Sequence, residues 1–548
     1  MIKFSSFSKI GALVAIFTAM GIVSDAQQLN TIPYPQKITV GNGSFGLSES
    51  TKIIYDRGCG NEARYLKNLL KDEYKLALAS ERHIEGRKAL STGIYLHVDP
   101  SKFAALGKEG YAIHVDGKYV SITGASSAGV FYGIQTIRQI IQNNSIPSVT
   151  IEDKPAFSWR GFLLDEGRYF KGEKVVKDLM DEMALLKMNV FHWHLTDDGG
   201  WRIEIKKYPK LTEIGSKRRM SEIGTWLSGK YDSIPHSGFY TQEQIKRIIK
   251  YAADRHITIV PEIEMPGHAS AAIASYAWLG AENKQIEVPI SFGIKQDVFN
   301  VADPRVKQFL HDVLDELMAL FPSKVIHIGG DEVKYDQWKA SAQVNAYMKA
   351  HNIQTPADLQ IDFTNGISAY LDQHHHRMMG WNEILGGHNQ NNDACDAHAS
   401  SKLSSSAIID FWTGSPKIVG DAVAKGYNVV NSYWWYTYLD YDYNTTTLER
   451  AYSFKAIPDS IPEKYHIKVL GINTQMWGEW IPTVQRMNYL VYPRIAAMAE
   501  IGWTEPSKKD YKRFFEALTN GYLKKHWKDE GIELSHEQLY GGEKAPKQ

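Results

Sequence analysis

The chain has 548 residues, enough to bury a sizeable core and to hold several domains, or fewer if one is a large barrel. It is 43% hydrophobic and 23% charged, a globular balance that excludes a disordered or fibrous protein. The 62 basic side chains equal the 62 acidic ones, so no charge excess marks a nucleic-acid binder or an acidic tail, and two cysteines exclude a disulfide scaffold and a Cys-rich zinc or iron–sulfur site.

In chain order, Lys3 and Lys9 precede an apolar run from Ile10 to Val23, and Ser24-Asp25-Ala26 supplies small residues for a cut after Ala26. This is the pattern of a secretory signal peptide over residues 1–26, too short for a membrane span; a buried N-terminal helix is the weaker alternative. The mature chain is expected to be exported, to the periplasm or the medium, and no other run approaches membrane length. Cys59 and Cys395 stand far apart in the chain and give no reason to expect a bridge.

Residues 27–155 read as a smaller α/β domain. Tyr111–Val115 and Tyr119–Thr123 alternate as half-buried strands do, and Val130, Ile134, Ile137, Ile140 and Ile141 follow at helical spacing. No catalytic constellation appears there, and Pro147 and Pro155 bracket the boundary. Over residues 156–505 the pattern changes to short apolar runs alternating with amphipathic helices. The runs are Phe162–Leu164, Val190–Leu195, Ile257–Ile263, Val325–Ile328, Arg377–Gly380, Ala407–Phe411, Asn428–Val430 and Ile472–Gln475. Eight β-then-α units predict a (β/α)8 barrel. Residues 506–548 predict one helix through Tyr511, Phe514, Phe515 and Leu518, then a polar tail.

In such a barrel the chemistry sits in the loops after the strands. The strand ends carry Asp165-Glu166-Gly167-Arg168, His192-Trp193-His194 with Asp197-Asp198, Glu262 with Glu264 and His268, Gly329-Gly330-Asp331-Glu332, Trp381-Asn382-Glu383, Asp410-Phe411-Trp412, Trp434 to Asp440, and Trp477-Gly478-Glu479. Carboxylates with flat aromatics suit a sugar: glycosidic cleavage needs a proton on the leaving oxygen and negative charge beside an oxocarbenium-like centre, and apolar sugar faces pack on rings. Asp331-Glu332 is the sharpest pair. The same two residues also suit a solvated acidic helix start, so by themselves they leave both readings open.

His327-Ile-Gly-Gly-Asp-Glu resembles the signature of the β-N-acetylhexosaminidases of glycoside hydrolase family 20. His192-Trp-His-Leu-Thr-Asp-Asp with Gly200-Trp-Arg, Pro261-Glu-Ile-Glu-Met-Pro-Gly-His, Gly380-Trp-Asn-Glu, Tyr438-Leu-Asp and Gln475-Met-Trp-Gly-Glu are similar to further family motifs, in the same order, from about Phe157 to Trp503. The resemblance implies exo-cleavage of terminal β-linked N-acetylglucosamine or N-acetylgalactosamine with retention, the substrate's acetamido oxygen acting as nucleophile through an oxazoline, as in families outside the two-carboxylate scheme. It implies Glu332 as general acid and base and Asp331 as acceptor of the acetamido N–H. Arg168 matches the arginine that grips ring hydroxyls. His268 with Asp197, preferred over Asp198, matches the residues that support the acid. Trp381, Trp412 and Trp477 match the walls of the acetamido pocket, Tyr438 the donor to the acetamido oxygen, and Asp440 and Glu479 acceptors for hydroxyls away from the reacting carbon. The expected partner is a carbohydrate, with no cofactor, no metal and no nucleic acid.

The chain departs from the family pattern at Tyr169 (commonly His), Gly199 (commonly Gln), Glu264 (usually Asp) and a short segment over residues 441–453. Two other functions compete. His192 and His194 share a strand face and could serve a metal-dependent hydrolase, although such a pair is expected on the first strand and here follows the second. His374-His375-His376 is a further metal-like tract, read rather as a solvated helix end. A sugar-binding protein without turnover is the other alternative; loss of Asp331 or Glu332 would mark it, and both are present.

Overall fold

The computed structural model describes residues 29–83, 92–386 and 400–541. The expected signal segment and Cys395 lie outside the described residues; Cys59 is buried. No helix among the described residues is long and apolar enough to cross a membrane.

The N-terminal region forms a seven-stranded mixed sheet. Its order is Lys37–Gly46, Ser145–Asp153, Tyr111–Val115, Tyr119–Gly124, Gly93–Val98, Lys52–Tyr55 and Ala79–Arg82. The two strands that alternate in the sequence are present as read. The edge strands Lys37–Gly46 and Ala79–Arg82 are largely exposed, so no apolar alternation announces them. Helix Ser127–Ile140 starts at Ser126, whose hydroxyl accepts the Ala128 N–H. It is buried almost all round because it lies between this sheet and the first barrel helix, Glu173–Leu185.

All eight apolar runs form barrel strands: Trp159–Asp165, Val190–His194, Thr258–Glu262, Val325–His327, Arg377–Trp381, Ile408–Phe411, Asn428–Asn431 and Val469–Met476. Each pairs in parallel with the next, and the eighth closes on the first. Helix Gln242–Ala253 carries the expected Thr241–Gln244 capping box. Inside the barrel, Val190, Val260, Met379, Ile408 and Val430 form an apolar layer of their own. Alternation then puts His192, Glu262, Trp381 and Asp410 on the same inner face, two residues further along their strands. The polar layer they form supports the mouth.

The C-terminal polar tail is corrected by the structure. After the expected helix, Tyr511–Asn520, come two more, Tyr522–Asp529 and His536–Tyr540. Leu523 and Trp527, four apart, bury one face of the second while three lysines crowd its sequence and mask the period. Trp527 Nε1 donates to Glu182 Oε2 at 2.8 Å, and His526 Nε2 lies 2.6 Å from Glu182 Oε1, tying this helix to the barrel. Trp527→Ala is expected to destabilise the fold by about 3–5 kcal/mol, because an enclosed indole is removed and its acceptor is left short of a donor. Denaturant unfolding measures this; a midpoint equal to that of the wild type contradicts it.

Candidate active site

The fourth strand leads straight into the central pair. Gly329 and Gly330 have φ of 65° and 88°, and Glu332 itself sits at 50°. Left-handed backbone at a non-glycine residue is tolerated where the surroundings enforce it, commonly at functional sites. Gly329 is required for space as well: a Cβ there would lie 1.8 Å from Glu264 Oε2. The turn presents Asp331 and Glu332 with their side chains 12% and 17% exposed.

His268 faces both. Its Nε2 is 3.5 Å from Glu332 Oε2 and 3.7 Å from Asp331 Oδ2. Its Nδ1 is 3.0 Å from Asp198 Oδ2 and 3.7 Å from Asp197 Oδ2. The hydrogen-bonded partner is therefore Asp198, not the expected Asp197. Asp198 is fixed in turn by the N–H and hydroxyl of Ser270. Asp197 instead lies 2.9 Å from Arg168 Nη2. Asp197 ends the short strand Thr196–Asp197 and stands nearer Arg168 than His268, while Asp198, in the turn that leads to Gly200–Trp201, takes the hydrogen bond of the ring.

The charges follow from burial and company. Burial opposes a charged His268, but Asp197, Asp198 and Glu332 outweigh it and hold the ring well above its ordinary value, as a cation. Asp331 is pushed up to about 6 by burial, with His268 opposing and Glu332 reinforcing the shift. Burial also raises Asp197, Glu479 and, further, Asp440.

Arg168 is a hub of charge contacts, joined to the His268 side through Asp197. It reaches Asp165 Oδ2 at 3.2 Å, Asp197 at 2.9 Å and Glu479 Oε1 at 3.8 Å, with its guanidinium 5.2 Å from the centre of the Trp477 ring. Three carboxylates and a ring fix the direction of its fork, as recognition of paired hydroxyls requires. Two departures from the family pattern meet beside it. Arg218 stacks over Tyr169 at 4.8 Å and donates to the Gly199 carbonyl at 3.1 Å.

The aromatic residues form one continuous set. Trp381 and Trp477 lie 5.7 Å apart, Trp477 and Tyr438 6.1 Å, and Trp412 stacks on Tyr438 at 6.1 Å. Trp435 is turned to solvent against Arg450 and joins the set only at its margin, through Trp434 and Tyr441. Asp440 follows Tyr438 and is felt by Glu479. The fold thus gathers all eleven residues singled out in the sequence at one end of the barrel.

Several contributors were present in the strand-end segments without a role. Asp165 accepts from the Gly478 N–H at 2.8 Å and sits 3.0 Å from His194 Nδ1. Glu264 Oε1 lies 3.2 Å from His194 Nε2, and burial followed by the charge of Asp331 raises its carboxyl well above the ordinary range. Glu383 accepts the Trp412 indole N–H at 3.0 Å. Their signal is their position at strand ends; their partners lie on other strands.

Among the described residues, four groups have ligand atoms close enough for a metal ion: His192 with Glu262 and His327, His194 with Glu262 and Glu264, His268 with Asp197 and Asp198, and His268 with Asp331 and Glu332. Of the two histidines of the metal-hydrolase alternative, His192 stands 2.9 Å from Glu262, and His194 stands 3.0 Å from Asp165 and 3.2 Å from Glu264. His374 and His376 bond backbone carbonyls just beyond helix Pro356–Gln373.

A charged histidine behind one acid, a second acid beside it and a cage of rings suit proton delivery to a sugar next to a group cradled by the rings. Comparison with known proteins agrees. The model of glycosyl hydrolase family 20, catalytic domain, matches residues 157–506, and that of the family's domain 2 matches residues 28–154. A beta-hexosaminidase of Porphyromonas gingivalis is 36% identical over 519 residues, covering 90% of this chain; the chain spans 63% of that relative's length. A beta-hexosaminidase of Vibrio furnissii is 34% identical over 500 residues, covering 87% of this chain and 77% of that relative. The crystal structure of a β-N-acetylhexosaminidase from Bacteroides fragilis superposes with a TM-score of 0.78 at 30% identity, covering 92% of this chain and 96% of the other. That of a family 20 exo-β-N-acetylglucosaminidase from Vibrio harveyi, in complex with N-acetylglucosamine, gives 0.78 and 30% over 92% of this chain and 78% of its own. With both domain models matched and the fold shared along nearly its whole length, the chain belongs to glycosyl hydrolase family 20.

Proposed function

We propose that the chain is an exo-acting β-N-acetylhexosaminidase that removes terminal β-linked N-acetylglucosamine or N-acetylgalactosamine with retention, using the substrate's acetamido group as nucleophile. The observation that carries this reading is the line Asp198–His268–Glu332 with Asp331 beside it, at the edge of the Trp381–Trp477–Tyr438–Trp412 cage. The relatives' names, and the N-acetylglucosamine in the Vibrio harveyi structure, support it.

The reaction assigns each group a task. The acetamido oxygen attacks the anomeric carbon as the glycosidic C–O bond breaks, and Glu332 passes its proton to the leaving oxygen. The Glu332 carboxylate so formed develops beside the cationic His268, which stabilises it. Asp331 accepts the acetamido N–H and offsets the positive charge of the oxazoline as it forms. Tyr438 donates to the acetamido oxygen while the tryptophans exclude water. Water then enters with Glu332 as base and opens the oxazoline with retention. Arg168, Asp440 and Glu479 hold the hydroxyls, so binding energy away from the reacting carbon serves orientation.

Two results are expected. An aryl β-N-acetylglucosaminide is cleaved and the matching β-glucoside is not, with or without a chelator; equal cleavage of both contradicts the reading. Second, kcat/KM falls as pH drops through about 6, because Asp331, raised by burial, takes up a proton there and loses the charge the oxazoline needs. A profile of kcat/KM against pH that stays flat down to pH 5 contradicts that role.

A further inference from the structure

The interior of the barrel holds a buried carboxylate that the mechanism above does not use. Glu262 lies two residues before Glu264 on the third strand, one layer deeper, and is fully enclosed. It cannot touch a substrate. It does accept the indole N–H of Trp381, Nε1 to Oε1 at 2.9 Å. Trp381 is itself buried, and its indole N–H is spent on Glu262 while its backbone N–H goes to the Gly329 carbonyl.

We infer that Glu262 is a positioning residue: by taking the Trp381 N–H from beneath the pocket floor it sets the tilt of that ring and, with it, the depth of the acetamido pocket. This rests on the reading of Trp381 as a wall of that pocket. Ring packing alone leaves the tilt loosely set, since the neighbours of Trp381 meet it at mixed angles: His192 at 29°, Trp477 at 48° and His327 at 62°. A hydrogen bond to a carboxylate is directional and short, and it fixes the indole plane.

Glu262 is enclosed between two histidines from the neighbouring strands. His327 Nδ1 stands 2.7 Å from Oε1, and His192 Nε2 stands 2.9 Å from Oε2. On the far side of the His192 ring, Nδ1 is 2.9 Å from Asn473 Nδ2 on the eighth strand. With Asn473 donating, the ring proton sits on Nε2 and faces Glu262. Asn473 has room because residue 161 is glycine: a Cβ there would lie 2.2 Å from Asn473 Oδ1. A line of polar contacts therefore crosses the barrel from the eighth strand to the fifth and ends on the indole. The neighbouring histidines outweigh burial and keep the Glu262 carboxyl well below its ordinary range, so the acceptor is an anion. A buried ion network is poor value for stability compared with apolar packing of similar volume, and the layer beneath is apolar. The polar layer is the one that bears the pocket.

The test compares wild type, Glu262→Gln, Trp381→Phe and the double variant on aryl β-glycosides of glucosamine carrying N-acetyl or N-butanoyl groups. The readout is the ratio of kcat/KM between the two acyl groups, which a general loss of stability does not move. Trp381→Phe keeps a ring and removes the N–H. Each single variant is expected to lower the preference for N-acetyl by about tenfold, the scale of one charge-assisted hydrogen bond, and the double variant to lower it no further. Single effects that multiply in the double variant overturn the inference, as does a wild-type ratio in either folded single variant. Should Glu262→Gln fail to fold, Trp381→Phe decides: an unchanged ratio overturns it. Stoichiometric metal in the purified enzyme, whose removal abolishes the N-acetyl preference, also overturns it, in favour of a metal centre at His192, Glu262 and His327. A wild type that does not prefer the N-acetyl substrate is instead a failure of the proposed function.

Discussion

Glu332→Gln is expected to lower kcat/KM by about 10²–10⁴-fold on a substrate whose leaving group is another sugar, the range of a positioned general acid. The substitution keeps the shape of the side chain and its place at the left-handed turn after Gly330. It removes the proton that the leaving alkoxide needs. A nitrophenyl leaving group departs without much help, so its loss is expected to be much smaller. The contrast between the two substrates is the signature, because a misfolded or misaligned site would depress both alike. His268, 3.5 Å from Glu332, would remain charged opposite a neutral amide. An equal loss on both substrates would assign Glu332 to binding or structure, and no loss on either would remove it from the mechanism.

Asp331→Asn carries the second large effect. The carboxylate has two tasks, to accept the acetamido N–H and to place negative charge beside the oxazoline. The asparagine can still accept a hydrogen bond but supplies no charge. Loss of one preorganised electrostatic stabiliser costs about 10²–10³ in kcat. The fall should appear in kcat more than in KM, since the charge it offsets exists only beyond the ground state. The acid limb near pH 6 should disappear with it, because Asp331 is the group that titrates there. A variant that keeps both kcat and the acid limb contradicts both tasks.

What the sequence shows and what it hides follow from how each feature is built. The barrel strands are parallel and enclosed on both faces, so they read as continuous apolar runs, and all eight appear where the runs predict. The edge strands of the N-terminal sheet are exposed and carry no such signal. Asp331-Glu332, Tyr438 with Asp440, and Trp477 with Glu479 are legible because each pair is contiguous or nearly so at one strand end. Which of Asp197 and Asp198 serves His268 is not legible, since it depends on the turn between the short strands Thr196–Asp197 and Gly200–Trp201. Nor are the bonds Trp381–Glu262 and Trp412–Glu383: the first joins different strands, and the second joins residues whose approach depends on how two loops fold. Leu523 and Trp527 were hidden by charge. Lysines surround them, and their apolar face gains meaning only when Glu182 is seen to receive the indole N–H.

The central claim is that the nucleophile belongs to the substrate. The most direct measurement is kcat for a series of aryl β-glycosides in which the N-acetyl group carries zero, one, two or three fluorines, with leaving group and pH held constant. Each fluorine withdraws electrons from the amide oxygen and weakens it as a nucleophile while leaving the glycosidic bond in place. The mechanism assigned to Asp331 and Glu332 predicts a steep fall in kcat along the series. Rates independent of fluorination would contradict it and require a carboxylate of the protein to attack the anomeric carbon.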